Sequence, residues 1–415
     1  MKTHDVELSS RTLDSSPGSG PGATGPRAGV GGWTCLAFVA LIPSLMVSDA
    51  GAAGTGDLEA RLAALERQVT ELAGENQALR ARLAGGSDRA TPVWVRPEGQ
   101  ASGLSLGGLL QVQAESAGVP DSRYAGVNER VQLRRMRLAF CGAFAEQVSF
   151  KLEADFGNGS VAGRTGASGQ LTDAFVAWSR FPGLNLRLGQ FKTPFGHEQL
   201  TADSKAIFVE RSLTNDRLTV GRQIGVQASG EIVRSVLGYS IGAFNGCGTN
   251  AGANDNGRFM TAARVAATVY RGNLGELPAR WNLGVNGFDT TDQASFTGRR
   301  IGRGIDTQAS LGPAMVGTEW LRQDSRPAVG SPVEADGWSV FGTWNFNRWW
   351  QGVWRFERFD AGTPRLDATT REWTLGFNYF VKGDDLKLLL NYQFGRTPLP
   401  HSADGRWLGR MQVVF

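Results

Sequence analysis

The feature that most constrains this chain is a two-residue alternation of apolar and polar side chains, which begins near residue 102 and recurs up to the C-terminus. In residues 148–156, Val, Phe, Leu, Ala and Phe alternate with Ser, Lys, Glu and Asp. A period of two is typical of β-strands. The polar faces carry full charges and the apolar faces are large, with aromatic ends. This distribution predicts a barrel with lipid outside and water inside.

The spacing of the strands supports a membrane barrel. Sixteen candidate strands follow the pattern, at residues 102–114, 130–144, 146–157, 170–181, 184–194, 221–233, 236–246, 258–270, 280–289, 305–311, 314–324, 336–347, 349–359, 371–382, 385–396 and 405–415. Seven short turns alternate with eight longer loops, which we place at 115–129, 158–169, 195–220, 247–257, 290–304, 325–335, 360–370 and 397–404. Short periplasmic turns, long external loops and an even strand number characterise bacterial outer-membrane barrels. We therefore predict an all-β transmembrane antiparallel β-barrel over residues 102–415.

The N-terminal quarter has a different organisation. Residues 33–47 form an apolar run of signal-peptide length, so residues 1–52 are predicted to be an N-terminal extension and signal peptide. Within residues 53–86, apolar side chains follow a 3.5-residue repeat from Leu58 to Leu83, which predicts a periplasmic coiled-coil helix. The alternative is a solitary amphipathic helix that packs on the barrel. Residues 87–101 are predicted to be a linker.

Aromatic residues occupy positions expected at membrane interfaces. The chain ends on Phe415, in a strand whose outward face would also carry Trp407 and Met411. A terminal aromatic residue on such a strand is a modest indication of an outer-membrane protein. The tryptophans suited to interfacial girdles are Trp338, Trp344, Trp349, Trp350 and Trp354.

Several motifs resemble the phosphate-selective porin O and P family. The most specific is residues 188–196, Leu-Gly-Gln-Phe-Lys-Thr-Pro-Phe-Gly, followed by Glu-Arg-Ser-Leu at 210–213. The Arg-Arg-Met-Arg-Leu of residues 134–138 and the Arg-Met-Gln-Val-Val-Phe ending at 410–415 also fit. The resemblance implies a homotrimeric sixteen-stranded porin in the outer membrane of a Gram-negative bacterium, which takes up phosphate or other anions.

Cationic side chains are the candidates for the pore. Residues 102–415 contain 34 Lys and Arg against 28 Asp and Glu, and a ring of fixed cations favours anions. The longest loop, 195–220, is the predicted constriction. The candidate pore and anion-binding residues are Lys192, Arg135, Arg137, Arg187, Lys205, Arg211, Arg217, Arg222, Arg264 and Arg355. Each of these arginines could instead be a salt-bridged wall residue that fixes the barrel shape.

Other classes of protein have less support. Only His197 and His401 remain after signal cleavage, and we find no catalytic or metal-ligand spacing, so neither an enzyme, a cofactor nor nucleic-acid binding is expected. The prediction is passive diffusion of small anions such as phosphate or polyphosphate. The alternatives are a general, weakly selective porin, or an envelope-tethering protein whose residues 58–83 contact peptidoglycan or a periplasmic partner.

Overall fold

A computed structural model describes residues 103–117, 129–144, 147–157, 169–252, 254–292, 297–363, 369–396 and 405–415. Sixteen strands form one closed antiparallel barrel, which confirms the predicted fold class. The strands are β1 (Gly103–Ala117), β2 (Glu129–Phe144), β3 (Val148–Asp155), β4 (Gln170–Phe181), β5 (Leu184–Lys192), β6 (Arg222–Val233), β7 (Leu237–Phe244), β8 (Met260–Leu274), β9 (Leu277–Asp292), β10 (Gly298–Leu311), β11 (Ala314–Pro327), β12 (Val333–Asn345), β13 (Trp350–Asp360), β14 (Thr369–Lys382), β15 (Leu386–Arg396) and β16 (Arg406–Val414).

The barrel closes between its first and last strands. Strand β1 pairs with β2 on one side and with β16 on the other. At the end of this seam, the Gly108 amide donates to the Phe415 carbonyl at 2.8 Å, and the Phe415 amide donates to the Gly108 carbonyl at 3.2 Å. The last residue of the chain therefore contributes hydrogen bonds to barrel closure. A closed barrel leaves no unpaired strand edge.

The distribution of polarity is reversed relative to a soluble barrel. On β14, the outward side chains Leu375 and Phe377 are 45% and 54% exposed, whereas the inward Thr374 and Asn378 are each 1% exposed. Outward leucine, valine and isoleucine side chains are similarly exposed on many strands, and polar or charged side chains fill the interior. Apolar surface on the outside suits lipid, and polar side chains inside suit a water-filled lumen.

Two predicted external loops were wrong in extent. The predicted loop 290–304 is reduced to residues 293–297, and the predicted loop 325–335 is reduced to residues 328–332. Strands β9 to β12 continue into these segments as paired hairpins. Four of their outward positions, Arg299, Arg303, Arg326 and Glu334, carry charged side chains instead of apolar ones. The alternation that marks a membrane strand is therefore interrupted, although the backbone pairing persists. Similarly, the turn between the strands predicted at 258–270 and 280–289 contains only Gly275 and Glu276.

The α-helices of the described residues are short and lie in the third external loop, which we call L3 (residues 193–221). They are α1 (His197–Leu200) and α2 (Leu213–Leu218). Within the described ranges, no helix is both long and apolar enough to cross a membrane. The predicted signal peptide, coiled coil and linker, at 1–52, 53–86 and 87–101, lie outside the described residues and stay predictions.

Gly189 provides a test of the strand geometry next to L3. Its φ is +129°, and a Cβ at this position would lie 2.2 Å from the Ala174 carbonyl oxygen. We expect Gly189→Ala to lower the yield of folded barrel and its melting temperature, with a cost of at least about 1–3 kcal/mol from backbone strain alone. The matched control is Gly409→Ala, because Gly409 also lies in a strand but has open space at its Cβ position. Equal melting temperatures for the two variants, measured by circular dichroism, would contradict this explanation.

Candidate functional site

Loop L3 folds into the barrel and contacts the lumen wall on several sides. The Thr193 amide donates to the Gly221 carbonyl at 3.0 Å and closes the base of the loop. Farther along, the Ala206 carbonyl accepts from Lys387 on β15 at 3.0 Å, and the Ile207 carbonyl accepts from Asn378 on β14 at 2.9 Å. L3 therefore crosses the lumen, in the position of a constriction.

Asp203 is the first anchor of L3. Its carboxylate accepts from Arg137 at 2.6 Å and from Arg211 at 2.8 Å, and it lies 3.2 Å from Arg135. Burial alone would raise the pKa of this carboxyl group, but Arg135, Arg211 and Arg137 outweigh it and hold the pKa of Asp203 well below its usual range. The Asp203 carboxylate therefore stays ionised and ties the loop to β2.

Glu210 is the second anchor. Its carboxylate accepts from Arg134 at 2.8 and 3.1 Å, from Arg410 on β16 at 3.0 Å and from Gln113 on β1 at 2.9 Å. Burial raises the pKa of Glu210, but Arg134 and Arg410 have the larger combined influence, and its pKa is held well below the usual range. This carboxylate links L3 to three neighbouring strands around the barrel seam.

Strands β11 and β13 hold the opposite side of L3. Arg355 is 1% exposed, donates to the Glu210 carbonyl at 3.1 Å and lies over the Phe208 ring at 4.7 Å. Glu357, on the same strand, accepts from the Leu213 amide at the start of α2. On β11, Glu319 accepts from the amides of His197 and Glu198. The carboxyl oxygens of Glu319 and Glu357 therefore accept from free backbone amides in the first turns of the two helices.

The structure divides the ten predicted pore residues into two groups. One group is ion-paired to carboxylates within 4.0 Å and comprises Arg135, Arg137, Arg211, Arg222, Arg264 and Arg355. In the other group, no carboxylate of the described residues lies within that distance; its members are Lys192, Arg187, Lys205 and Arg217. The first group has the contacts expected of wall residues that fix the shape of the lumen, so unpaired cationic character rests with the second group.

The unpaired cations differ in their surroundings. Lys192 is half-buried and donates to the Thr201 carbonyl of L3 at 2.9 Å. Arg187 lies over the rings of Phe175 and Phe191, at 4.4 and 5.2 Å from the ring centroids. Lys205 and Arg217 are exposed side chains of L3. The structure therefore brings Lys192 and Lys205 to L3 cavities but leaves Arg187 on an aromatic surface.

Three cavities lined by described residues border L3. One of 380 Å³ lies between L3 and the β1–β6 wall, where Lys192 meets Arg137, Lys151 and Arg222; the carboxylates that line it are Glu153, Asp173 and Asp203. A second, of 360 Å³, lies between L3 and the β10–β13 wall and contains Lys205. The third, of 490 Å³, lies along β6–β10 and contains Arg264, Arg271 and Arg280. Space for solutes thus remains beside the loop, along walls that carry several cations.

Sequence reasoning missed three cations that bind L3. Arg410 and Lys387 alternate with outward apolar residues, so the two-residue period could have found them. Arg134 could not be found in this way, because it precedes the inward Arg135. A register shift lies between β1 and β2, where Gln111 pairs with Arg135 but Val112 pairs with Leu133. This β-bulge leaves Arg134 without a strand partner, and both arginines point inward.

Solved structures share this fold. An anion-selective porin from Comamonas acidovorans is 13% identical, with a TM-score of 0.52, over 76% of this chain and all of that chain. The outer-membrane channel DcaP of Acinetobacter baumannii is 13% identical, with a TM-score of 0.54, over 76% and 97% of the two chains. OprB of Pseudomonas putida is 12% identical, with a TM-score of 0.53, over 76% and 94%. These identities establish the fold alone.

Sequence comparison identifies the family. Among curated proteins, none matches this sequence. The profile of the phosphate-selective porin O and P family, however, matches residues 107–314 of the 415-residue chain. This match spans β1 to the start of β11 and includes all of L3. Together with the inside-out barrel, it shows that the chain is an outer-membrane porin and belongs to the phosphate-selective porin O and P family.

Proposed function

We propose that this porin allows small anions such as phosphate or polyphosphate to diffuse passively across the outer membrane, with Lys192 as an anion contact beside L3. The observation that carries the proposal is the position of Lys192. Its ammonium group has one protein hydrogen bond, to the Thr201 carbonyl, whereas three donors are available on a lysine. Within the described part of the chain, no carboxylate lies within 4.0 Å to neutralise it.

The neighbours of Lys192 support the same selectivity. Arg137, Lys151 and Arg222 line the same cavity and are paired with Glu153, Asp155, Asp173 and Asp203. These ion pairs hold the cationic side chains in place, and the carboxylates reduce the positive electrostatic potential that these cations produce in the cavity. Lys192 then supplies a cationic group beside this cavity that no carboxylate of the described residues pairs with. A single cation of this kind suits transport, because conduction needs binding that is weak enough for release.

A general, weakly selective porin is the second candidate. The observation that favours it is the neutralisation of six of the predicted pore arginines by carboxylates. A lumen with interleaved charges of both signs orients polar solutes but discriminates weakly between ions. The two candidates differ in one quantity, the ratio of anion to cation permeability.

The remaining parts of the proposal rest on the sequence. The family resemblance supports a homotrimer, and the heptad repeat of residues 58–83 supports a periplasmic coiled coil that contacts peptidoglycan or a periplasmic partner. We assign no catalytic role and no cofactor. In this proposal the barrel is the functional part and the coiled coil positions it in the envelope. An envelope-tethering protein would instead function without conductance.

Reversal potentials test the proposal. Purified porin in planar bilayers under a KCl gradient is expected to conduct. The sign of its reversal potential is expected to show that chloride is more permeant than potassium. Inorganic phosphate added to one side is expected to reduce the chloride current, because both anions compete for the same cations. Absence of conductance would contradict the channel, and a potassium-selective current would contradict the anion preference. A reversal potential near zero would favour the weakly selective porin.

A further inference from the structure

The 360 Å³ cavity between L3 and the β10–β13 wall is apolar over part of its surface. Four of its larger apolar side chains form what we call the lumen apolar patch; they are Ile207 and Phe208 of L3, Met315 of β11 and Phe341 of β12. The next residue after Met315, Val316, is 50% exposed on the outward face of β11, so Met315 itself points inward. The patch therefore faces the lumen and not the lipid.

Packing of L3 against the wall does not account for this patch. Elsewhere inside the barrel, apolar side chains of L3 and the wall bury one another: Phe195 and Leu218 of L3 pack with Phe288 and Leu321 of the wall, and all four are buried. In the lumen apolar patch only Phe208 is buried in this way, and its other three members are half-buried. Apolar surface left open to water inside a channel is available to a solute.

The two aromatic rings of the patch are held in place by their neighbours. Phe341 is opposite Gly317 in the strand register, and a Cβ at Gly317 would lie 2.5 Å from the Phe341 ring. The glycine therefore lets this ring lie against the wall. The rings of Phe208 and Phe341 meet edge to face, with centroids 6.2 Å apart, and Arg355 lies over Phe208 at 4.7 Å. Such a corner suits a further aromatic ring, which prefers the same edge-to-face or offset contacts.

The charged groups of the same cavity leave one cation without a partner. Asp203 and Glu210 bind arginines, and Glu319 accepts from two backbone amides of α1. The Glu198 carboxylate accepts from the amide and the hydroxyl of the residue that precedes α2. Among the described residues that line the cavity, Lys205 is the one charged side chain with neither an ion pair nor a hydrogen bond, and it is exposed. The cavity therefore presents an available positive charge beside an apolar surface.

Neutral hydrogen-bonding groups complete the cavity. Gln308 of β10 and Ser339 of β12 line it, and neither side chain has a hydrogen-bond partner among the described residues. Pockets that bind small molecules typically enclose about 300–1,000 Å³, with apolar and aromatic walls and a few polar groups that orient the ligand. The size and lining of this cavity correspond to that description.

We propose that this cavity binds small aromatic carboxylates, with the ring against the lumen apolar patch and the carboxylate on the ammonium group of Lys205. The charged contact favours a carboxylate over a neutral solute. The patch favours an aromatic acid over acetate or phosphate, because neither of these has apolar surface to remove from water. This site is separate from Lys192, which lines the cavity between L3 and the β1–β6 wall.

Binding of 4-fluorobenzoate to the purified porin in detergent tests the proposal. Fluorine NMR line widths are expected to show saturable binding, and unlabelled benzoate should displace the probe, whereas acetate and inorganic phosphate at the same concentration should not. Lys205→Gln is expected to weaken binding about fivefold, since solvent screens part of the attraction of an exposed ammonium group. Phe341→Leu keeps an apolar side chain but removes the ring, and is also expected to weaken binding about fivefold. The uncharged 4-fluorobenzyl alcohol should bind Lys205→Gln and the native porin equally.

The matched controls make the same substitutions outside the lumen. Lys382 and Phe346 lie at or beside short turns, with 78% and 60% exposure, and Lys382→Gln and Phe346→Leu should retain native affinity. Native affinity in both Lys205→Gln and Phe341→Leu would overturn the proposal, as would displacement of the probe by acetate as readily as by benzoate. Equal broadening of the probe by empty micelles would also overturn it. The measurement needs no ion conduction, so a negative result here would leave the anion preference of the channel unaffected.

Discussion

Replacing Glu210 with Gln is expected to release L3 from the β1–β2–β16 wall and to lower the free energy of unfolding of the barrel by about 3–5 kcal/mol. The substitution keeps the size of the side chain but removes its charge. Arg134 and Arg410, which are 9% and 3% exposed, would then lack their common carboxylate inside the protein. An uncompensated buried charge is the main source of such losses, and here two remain.

Two measurements distinguish the release of L3, caused by loss of the Glu210 contacts, from a general destabilisation of the barrel. The melting temperature in detergent should fall, and the single-channel current should become larger and noisier as L3 leaves the lumen. The control is Glu276→Gln, the same chemical change at an exposed position in the β8–β9 turn. If Glu210→Gln kept the native conductance and melting temperature, Glu210 would not be an anchor of the loop.

Replacing Lys192 with Glu is expected to invert the ion preference of the channel. Reversing one charge at ~5 Å from the ion path changes the electrostatic energy of a monovalent ion by about 1.7 kcal/mol in a water-like medium. The change has opposite signs for an anion and a cation, so the ratio of their permeabilities is expected to change on the order of a hundredfold. Lys192→Gln removes one charge instead of two, so about half of this energy change is expected. Reversal potentials in a KCl gradient measure both.

The control for Lys192 carries the same substitution outside the lumen. Lys382 is the last residue of β14, next to the short turn that leads to β15, and its side chain is 78% exposed. Lys382→Glu should leave the reversal potential unchanged, because solvent screens an exposed charge. Equal reversal potentials for Lys192→Glu and the native porin would remove Lys192 from the ion path, whatever the total conductance.

The predictions for Glu210 and Lys192 assign different roles to the paired and unpaired cations of the lumen. The arginines that bind Asp203 and Glu210 position L3, and buried ion pairs of this kind specify one arrangement more than they add stability. Pore dimensions therefore depend on paired cations, whereas ion preference depends on unpaired ones. A substitution of Arg134 or Arg410 should change conductance first, and a substitution of Lys192 should change selectivity first.

The sequence by itself determined the barrel, its sixteen strands and the position of the constriction loop. The reason is that a two-residue period fixes which side chains face lipid, and the alternation of turn lengths fixes which rim is external. It failed where that pattern is interrupted. The prediction ended strands β9 to β12 too early because charged side chains near the rim interrupt the apolar alternation there. It also missed the β-bulge at Arg134, which reverses the direction of one side chain.

Only the tertiary structure decided which cations are neutralised. The carboxylates that pair with Arg135, Arg134 and Arg410 lie in L3, roughly 70 to 200 positions away along the chain. No local period encodes such contacts, since they form when the loop folds into a closed barrel. For the same reason, Lys192, Arg187, Lys205 and Arg217 differ from the six paired candidates by a carboxylate contact that they lack among the described residues. A missing partner becomes visible only when the surrounding side chains are in place.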